Sequence, residues 1–244
     1  QSLFNHSKTI YQSEKKAFDL NIDDLFIDLF QKQIPFKLTS SQKKCIEEIY
    51  NDIKKTSPMK RLLQGDVGSG KTIVAAAAVT ATIKNNKQAA LMAPTEVLAE
   101  QHLTSFKKYL EYFDVDIQLL TSSVKDREDI YEIIDRGDPV LIIGTHALIQ
   151  DKVNFNNLGL AIIDEQQRFG VEQRKKLVDN DDFTPHQLVM TATPIPRTTA
   201  LAIYGDLELS VIDELPPGRK KIKSRVLSLS LIHISEPTIP GHIS

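Results

Sequence analysis

The stretch Leu62-Leu63-Gln64-Gly65-Asp66-Val67-Gly68-Ser69-Gly70-Lys71-Thr72 limits what this chain can fold into more than any other. An apolar run enters a turn holding Gly65, Gly68 and Gly70, and leaves it through Lys71, Thr72 and an alanine-rich helix former. Glycines this close together weaken any strand or helix, so the bare backbone must itself be needed. The spacing fits G-x-x-x-x-G-K-[ST], a strand–loop–helix signature that wraps phosphate. Glycines let successive N–H groups turn inward at phosphate oxygens, and the helix starting near Lys71 adds its positive end. Lys71 supplies a mobile point charge for the β and γ phosphates. Thr72 offers a hydroxyl to Mg²⁺, a cation that keeps most of its waters and takes few protein ligands. Gly65, Asp66, Val67, Gly68, Ser69, Gly70, Lys71 and Thr72 are therefore the candidate nucleotide-binding set.

From Arg61 onward, short apolar runs alternate with helical stretches: RLLQ, AALMA, DIQLL, PVLIIG, LGLAIIDE, QLVMT and LSVID. Most are too apolar to have a solvated face, the mark of a parallel sheet covered by helices on both sides. Residues 61–213 thus read as one doubly wound α/β domain, whose ligands bind outside the carboxyl ends of the strands. With 244 residues, 41% of them apolar, a real core is possible. A net charge of −2 leaves no global basic field, so any nucleic-acid contact must be local. The single cysteine, Cys45, excludes an internal disulfide and a cysteine metal cluster. It reads as core filler. No apolar run approaches membrane-spanning length, and the polar start QSLFNHSKTI is no signal peptide. A cytoplasmic setting is expected. The missing initiator Met suggests that the chain begins inside a longer protein.

Upstream, Phe18, Ile22, Leu25, Phe26, Leu29 and Phe30 have a spacing that suits an amphipathic helix over 14–33, ended by Pro35. Thr39 then looks like an N-cap with Gln42 three residues on, as in a capping box. In the helix that follows, Cys45, Ile46, Ile49 and Ile53 share one face. The basic run PPGRKKIKSR reads as a solvated boundary linker.

A phosphate cradle binds nucleotide, but turnover needs a carboxylate on Mg²⁺ and a group that positions water. LGLAIIDEQQRFG supplies both at the end of an apolar strand. Adjacent carboxylates there are unfavourable unless a cation or solvent takes up the charge. Asp164 would hold Mg²⁺, and Glu165 would orient and deprotonate the attacking water.

PFKLTSSQ, GDVGSGKT, APTEVLAEQH, GTHAL, DEQQRFG and TATPIPRT stand in the order of the motifs of superfamily 2 helicases. MTATPIPRT with YGDLELSVIDELPPGRK closely resembles the RecG family of bacterial ATP-dependent DNA helicases, over roughly residues 34–222. The resemblance implies a RecA-like P-loop NTPase lobe, ATP with Mg²⁺ as cofactor, and branched or forked duplex DNA as partner. It implies a helical lead-in over 1–35, the motor lobe over 36–215 and a linker over 216–227. The family's second lobe and N-terminal wedge domain are not in this sequence. Gln42 corresponds to the adenine-reading glutamine, beside its role in the capping box. Thr95, Thr145 and His146 fall in segments that touch the DNA backbone. Thr191, Ala192 and Thr193 fall in the segment linking the ATP site to the DNA track, and Arg197 would face DNA or the absent lobe. Gln167 stands where the family's acidic motif has His; it donates a hydrogen bond but does not titrate. Residues 228–244 resemble translated adapter read-through and are expected to be non-native or disordered. Lacking a second lobe, the chain alone is expected to bind ATP but turn it over poorly. The other readings are a transcription-repair coupling translocase lobe and a nucleotide-binding module without hydrolysis.

Overall fold

The computed structural model describes residues 16–18, 20–23, 25–165, 168–178, 183–193 and 207–214. Gln167, Arg197, the expected linker and the expected tail lie outside these residues.

Each of the seven apolar runs forms a strand: β1 Lys60–Gly65, β2 Gln88–Met92, β3 Asp116–Leu120, β4 Val140–Gly144, β5 Leu158–Asp164, β6 His186–Thr191 and β7 Glu208–Ile212. They form one sheet in the order β3-β4-β2-β5-β6-β1-β7. Every pairing in it is parallel. The helices are α1 Phe26–Gln33, α2 Ser40–Ile53, α3 Lys71–Lys84, α4 Glu96–Tyr109, α5 Glu128–Arg136 and α6 Val171–Val178, with a 3-10 turn at His146–Ile149.

Side chains alternate between the two faces of a strand, and the core divides accordingly. Ala89, Leu91, Leu141, Ile143, Leu160 and Ile162 pack with α1 to α4 on one face. Their neighbours Ala90, Met92, Ile142, Ala161 and Ile163 pack with α5, the 3-10 turn and α6 on the other. Each fully buried Leu or Ile contributes about 1.5–3 kcal/mol. The sheet's edges depart from the expectation of two covered faces. In β3 only Leu120 is fully buried, and β7 alternates, with Ser210 and Ile212 inside. DIQLL and LSVID occupy the edges, where, among the described residues, a strand pairs on one flank only.

α3 is buried on all sides from Ile73 to Ile83. Its four consecutive alanines keep it thin enough to lie between the sheet, α2 and α4. Thr80 and Thr82 return their hydroxyls to Ala76 and Ala78 carbonyls at 2.9 Å, which satisfies them inside an apolar layer. α2 begins as expected: the Thr39 side chain accepts from the Gln42 amide, and the Gln42 side chain accepts from the Thr39 amide. Cys45 is fully buried, and burial, with the Glu48 charge adding to it, pushes its thiol up to about 12.

The helix expected over 14–33 is present only from Phe26. Before it, the chain is a strap whose backbone bonds elsewhere: Ala17 N–H to Thr56 and Leu20 N–H to Ile53, at 2.7 and 3.1 Å. Those two amides are lost to an internal helical ladder, so the apolar spacing at Leu20 and Ile22 serves docking onto the core instead. Leu20, Ile22, Phe26 and Phe30 join the core of the main sheet.

Candidate active site

The strand order brings the glycine loop and the acidic pair to one place. β6 lies between β1 and β5. Thr191 is level with Gln64 on one side, and Met190 with Asp164 on the other. The three strands are parallel, so their carboxyl ends share an edge, with β1 and β5 two strand spacings, about 10 Å, apart.

The loop itself is built by glycine. Gly68 and Gly70 have φ of 75° and 95°, the left-handed region, which glycine enters without a steric penalty. Gly70 is the N-cap of α3. A Cβ on Gly70 would stand 2.2 Å from Gln42 Nε2, and one on Gly65 would stand 2.5 Å from Ser69 Oγ. Gln42 is buried and held at both ends of its amide: it accepts from Thr39 N–H and donates one Nε2 hydrogen to the Ser69 carbonyl at 2.8 Å. It therefore braces the loop from behind. Lys71 Nζ donates to the carbonyls of Gly65 and Asp66 at 2.6 and 3.2 Å. Burial pulls its ammonium below the ordinary lysine value, while the charges of Asp164, Glu165 and Asp66 pull upward. The lysine charge thus sits within the field of both carboxylates.

Asp164 ends β5 nearly buried, and His102 Nε2 meets its Oδ2 at 2.7 Å. Glu165 takes φ of 50°, a conformation that strains a non-glycine residue by roughly 1–3 kcal/mol and is concentrated at functional sites. Its Oε1 accepts from Ala192 N–H at 3.0 Å, and its Oε2 from the Thr191 hydroxyl at 3.5 Å. Thr193 N–H donates in turn to the Thr191 hydroxyl at 3.1 Å. Glu165 is therefore held directly by Thr191 and Ala192 at the end of β6.

The remaining candidates lie on the same edge, beyond β5. β2 and β4 lie side by side there, and Thr95 and His146 follow their carboxyl ends exposed. Thr95 also caps α4, its side chain accepting from Leu98 N–H at 3.3 Å. Thr145 differs: it is 2% exposed, so its hydroxyl lies beneath the surface, and His146 is the exposed donor at that corner. β6 lies on the opposite side of β5, so Thr191–Thr193 are separated from these loops by a strand.

Two residues of this edge were not singled out by sequence. His102 lies inside APTEVLAEQH, four residues before the buried Phe106 and three after the buried Ala99. That spacing marks an inward-facing side chain but not its partner. Glu214 follows β7, and its Oε2 accepts from Ser41 N–H in the first turn of α2 at 3.4 Å. With Asp213, Ser69 and Ala192 it lines a cleft beside the loop.

The donor set fits a magnesium triphosphate. Ser69 Oγ is buried and finds no partner among the described residues, the condition of a cradle whose polar groups await an oxygen-rich ligand. No cluster of three or more His, Cys, Asp or Glu side chains among the described residues could hold a metal unaided. One carboxylate and one hydroxyl beside a phosphate loop suit Mg²⁺, which is bound through few protein ligands and substrate phosphates.

Comparison with known proteins bears on the family and the fold. The family model of the DEAD/DEAH box helicases matches residues 39–202. This chain belongs to that family. Among curated relatives, the ATP-dependent DNA helicase RecG of Aquifex aeolicus is 50% identical over 216 residues, which is 87% of this chain and 27% of the relative. RecG of Bacillus subtilis is 53% identical over 197 residues, covering 80% of this chain and 29% of the relative. A solved structure of RecG bound to a three-way DNA junction superposes with a TM-score of 0.82 at 39% identity, over 93% of this chain and 31% of that one. A DEAD box protein from Methanococcus jannaschii, at 21% identity and a TM-score of 0.56, shares the fold; 81% of this chain and 56% of that one are covered. The DEAD/DEAH chain described here spans between a quarter and a third of the length of these RecG relatives.

Proposed function

We propose that this chain is the first motor lobe of a RecG-type helicase that uses ATP to move on duplex DNA and unwind branched or forked structures. The observation that carries this reading is the strand order, in which the phosphate loop after β1 and the Asp164–Glu165 pair ending β5 flank β6 at one carboxyl edge. Gly65 to Thr72 would hold the triphosphate, and Thr72 with Asp164 would hold Mg²⁺. Bound there, Mg²⁺ supplies charge neutralisation along the phosphates. Glu165, aimed by Ala192 N–H, would orient the attacking water and take its proton. Gln42 supports the loop's shape, and its remaining Nε2 hydrogen is what it could offer an adenine. Thr95 and His146 are the exposed donors for DNA phosphates, which position a duplex without reading its sequence. A cytoplasmic setting belongs to this reading; among the described residues no helix is long and apolar enough to cross a membrane.

The decisive experiment pairs two substitutions. Lys71→Ala should weaken binding of a fluorescent ATP analogue about 10–100-fold, the worth of a charged hydrogen bond. Glu165→Gln should leave that binding intact while lowering ATP turnover by the full-length parent about 10²–10⁴-fold, as loss of a general base does. Unchanged turnover in Glu165→Gln would instead favour a nucleotide-binding module that does not hydrolyse.

A further inference from the structure

His102 makes a contact to which the motif reading assigns no role. It lies in the middle of α4, and its side chain and that of Asp164 are each 12% exposed. Histidines on inward helix faces commonly serve packing alone. This one reaches across to β5 and meets Asp164 Oδ2 at 2.7 Å. An ionised carboxylate only accepts, so the ring presents Nε2–H. The separation falls in the range of charge-assisted hydrogen bonds.

We propose that His102 is a positioning residue for the Mg²⁺-holding carboxylate, fixing which way Asp164 faces the phosphate loop. This rests on the nucleotide-site reading above. Mg²⁺ demands near-ideal octahedral geometry, so the orientation of the one strand-end carboxylate decides how well it binds. A ligating carboxylate is itself held by hydrogen bonds, and losing such a partner typically weakens metal affinity about 10–100-fold. The seat is also directional. Thr95, the cap of α4, lies seven residues from His102, about 10 Å along the helix. α4 therefore joins an exposed loop on the far side of β5 to the carboxylate. Thr191–Thr193, on the other side of β5, cannot make that connection directly. A displacement of α4 would turn Asp164.

The test titrates binding of a fluorescent ATP analogue against Mg²⁺ in the 244-residue chain. H102L keeps bulk beside Phe106 and removes the donor. H102Q restores an N–H at about the reach of imidazole Nε2. H102L should raise the Mg²⁺ midpoint about 10–100-fold, and H102Q should recover most of the loss. Thermal melting without nucleotide reports whether both variants fold. A folded H102L with the wild-type midpoint overturns the proposal, and so does an H102Q as weak as H102L. Should H102L not fold, the wild-type ring decides: the His102 NMR signals should move when Mg²⁺ joins the analogue, and indifference to Mg²⁺ overturns the proposal. Lys71→Ala run alongside separates the two failures. If it binds nucleotide as wild type does, the nucleotide-site reading falls and takes this inference with it. If it weakens binding while H102L leaves the Mg²⁺ midpoint alone, only the role of His102 falls.

Discussion

Gly70 has little freedom to change. Its φ of 95° suits glycine, and the space a side chain would need is filled by the Gln42 amide. Gly70→Ala adds about 1–2 kcal/mol of left-handed strain. It also drives Gln42 off the Ser69 carbonyl and so disturbs the capping box, a further ~1 kcal/mol. Chemical denaturation should show a loss of roughly 2–3 kcal/mol, and nucleotide affinity should fall with it; a variant of wild-type stability would show that Gln42 does not brace the loop. Glu165 is strained in the same backbone region without being glycine. There, the Ala192 N–H and the Thr191 hydroxyl hold the carboxylate that the strained turn presents.

At the scale of elements, the strap before α1 is tied to the sheet by a buried histidine. His186, at the start of β6, accepts from Met59 N–H through Nδ1 at 3.0 Å and donates from Nε2 to the Phe18 carbonyl at 2.7 Å. Lys87 Nζ lies over the Phe18 ring at 3.6 Å, and Phe183 stacks against the Phe18 ring at 4.4 Å between centroids. Burial lowers the His186 pKa, more strongly than the Phe18 carbonyl and the Asp52 charge raise it. The unfolded chain therefore binds a proton more readily than the folded one. Stability from this group is complete above the ordinary histidine value of about 6.5 and is lost as pH falls below it toward the depressed folded value. Urea unfolding followed from pH 7.5 down to about 5.5 should show a declining free energy, and His186→Asn should flatten that decline. Equal slopes in the two proteins would assign the acid sensitivity to other groups.

For the molecule as a whole, the shared carboxyl edge orders the chemistry in space: the phosphate loop after β1, Thr191–Thr193 at the end of β6, the carboxylates at the end of β5, and the exposed loops after β2 and β4. On the proposed reading, the second lobe of the parent supplies the charge that completes the site. In other phosphoryl-transfer systems such an arginine contributes about 10³–10⁵ in rate. The chain alone should therefore bind ATP yet turn it over at least about 10³-fold more slowly than the full-length parent with DNA; comparable DNA-stimulated turnover by the chain alone would contradict this. Much of the architecture was legible in the sequence. The seven strands, the phosphate loop and the capping box of Thr39 and Gln42 are written in spacings of a few residues, and local backbone preferences act over that range. The exposed strand edges, the strap in place of a long helix, the burial of Thr145 and the pairing of His102 with Asp164 were not. His102 and Asp164 are 62 residues apart in the chain. What joins them is the order in which parallel strands and their helices stack, which settles where each amide and side chain finds its partner, and no local pattern encodes that order.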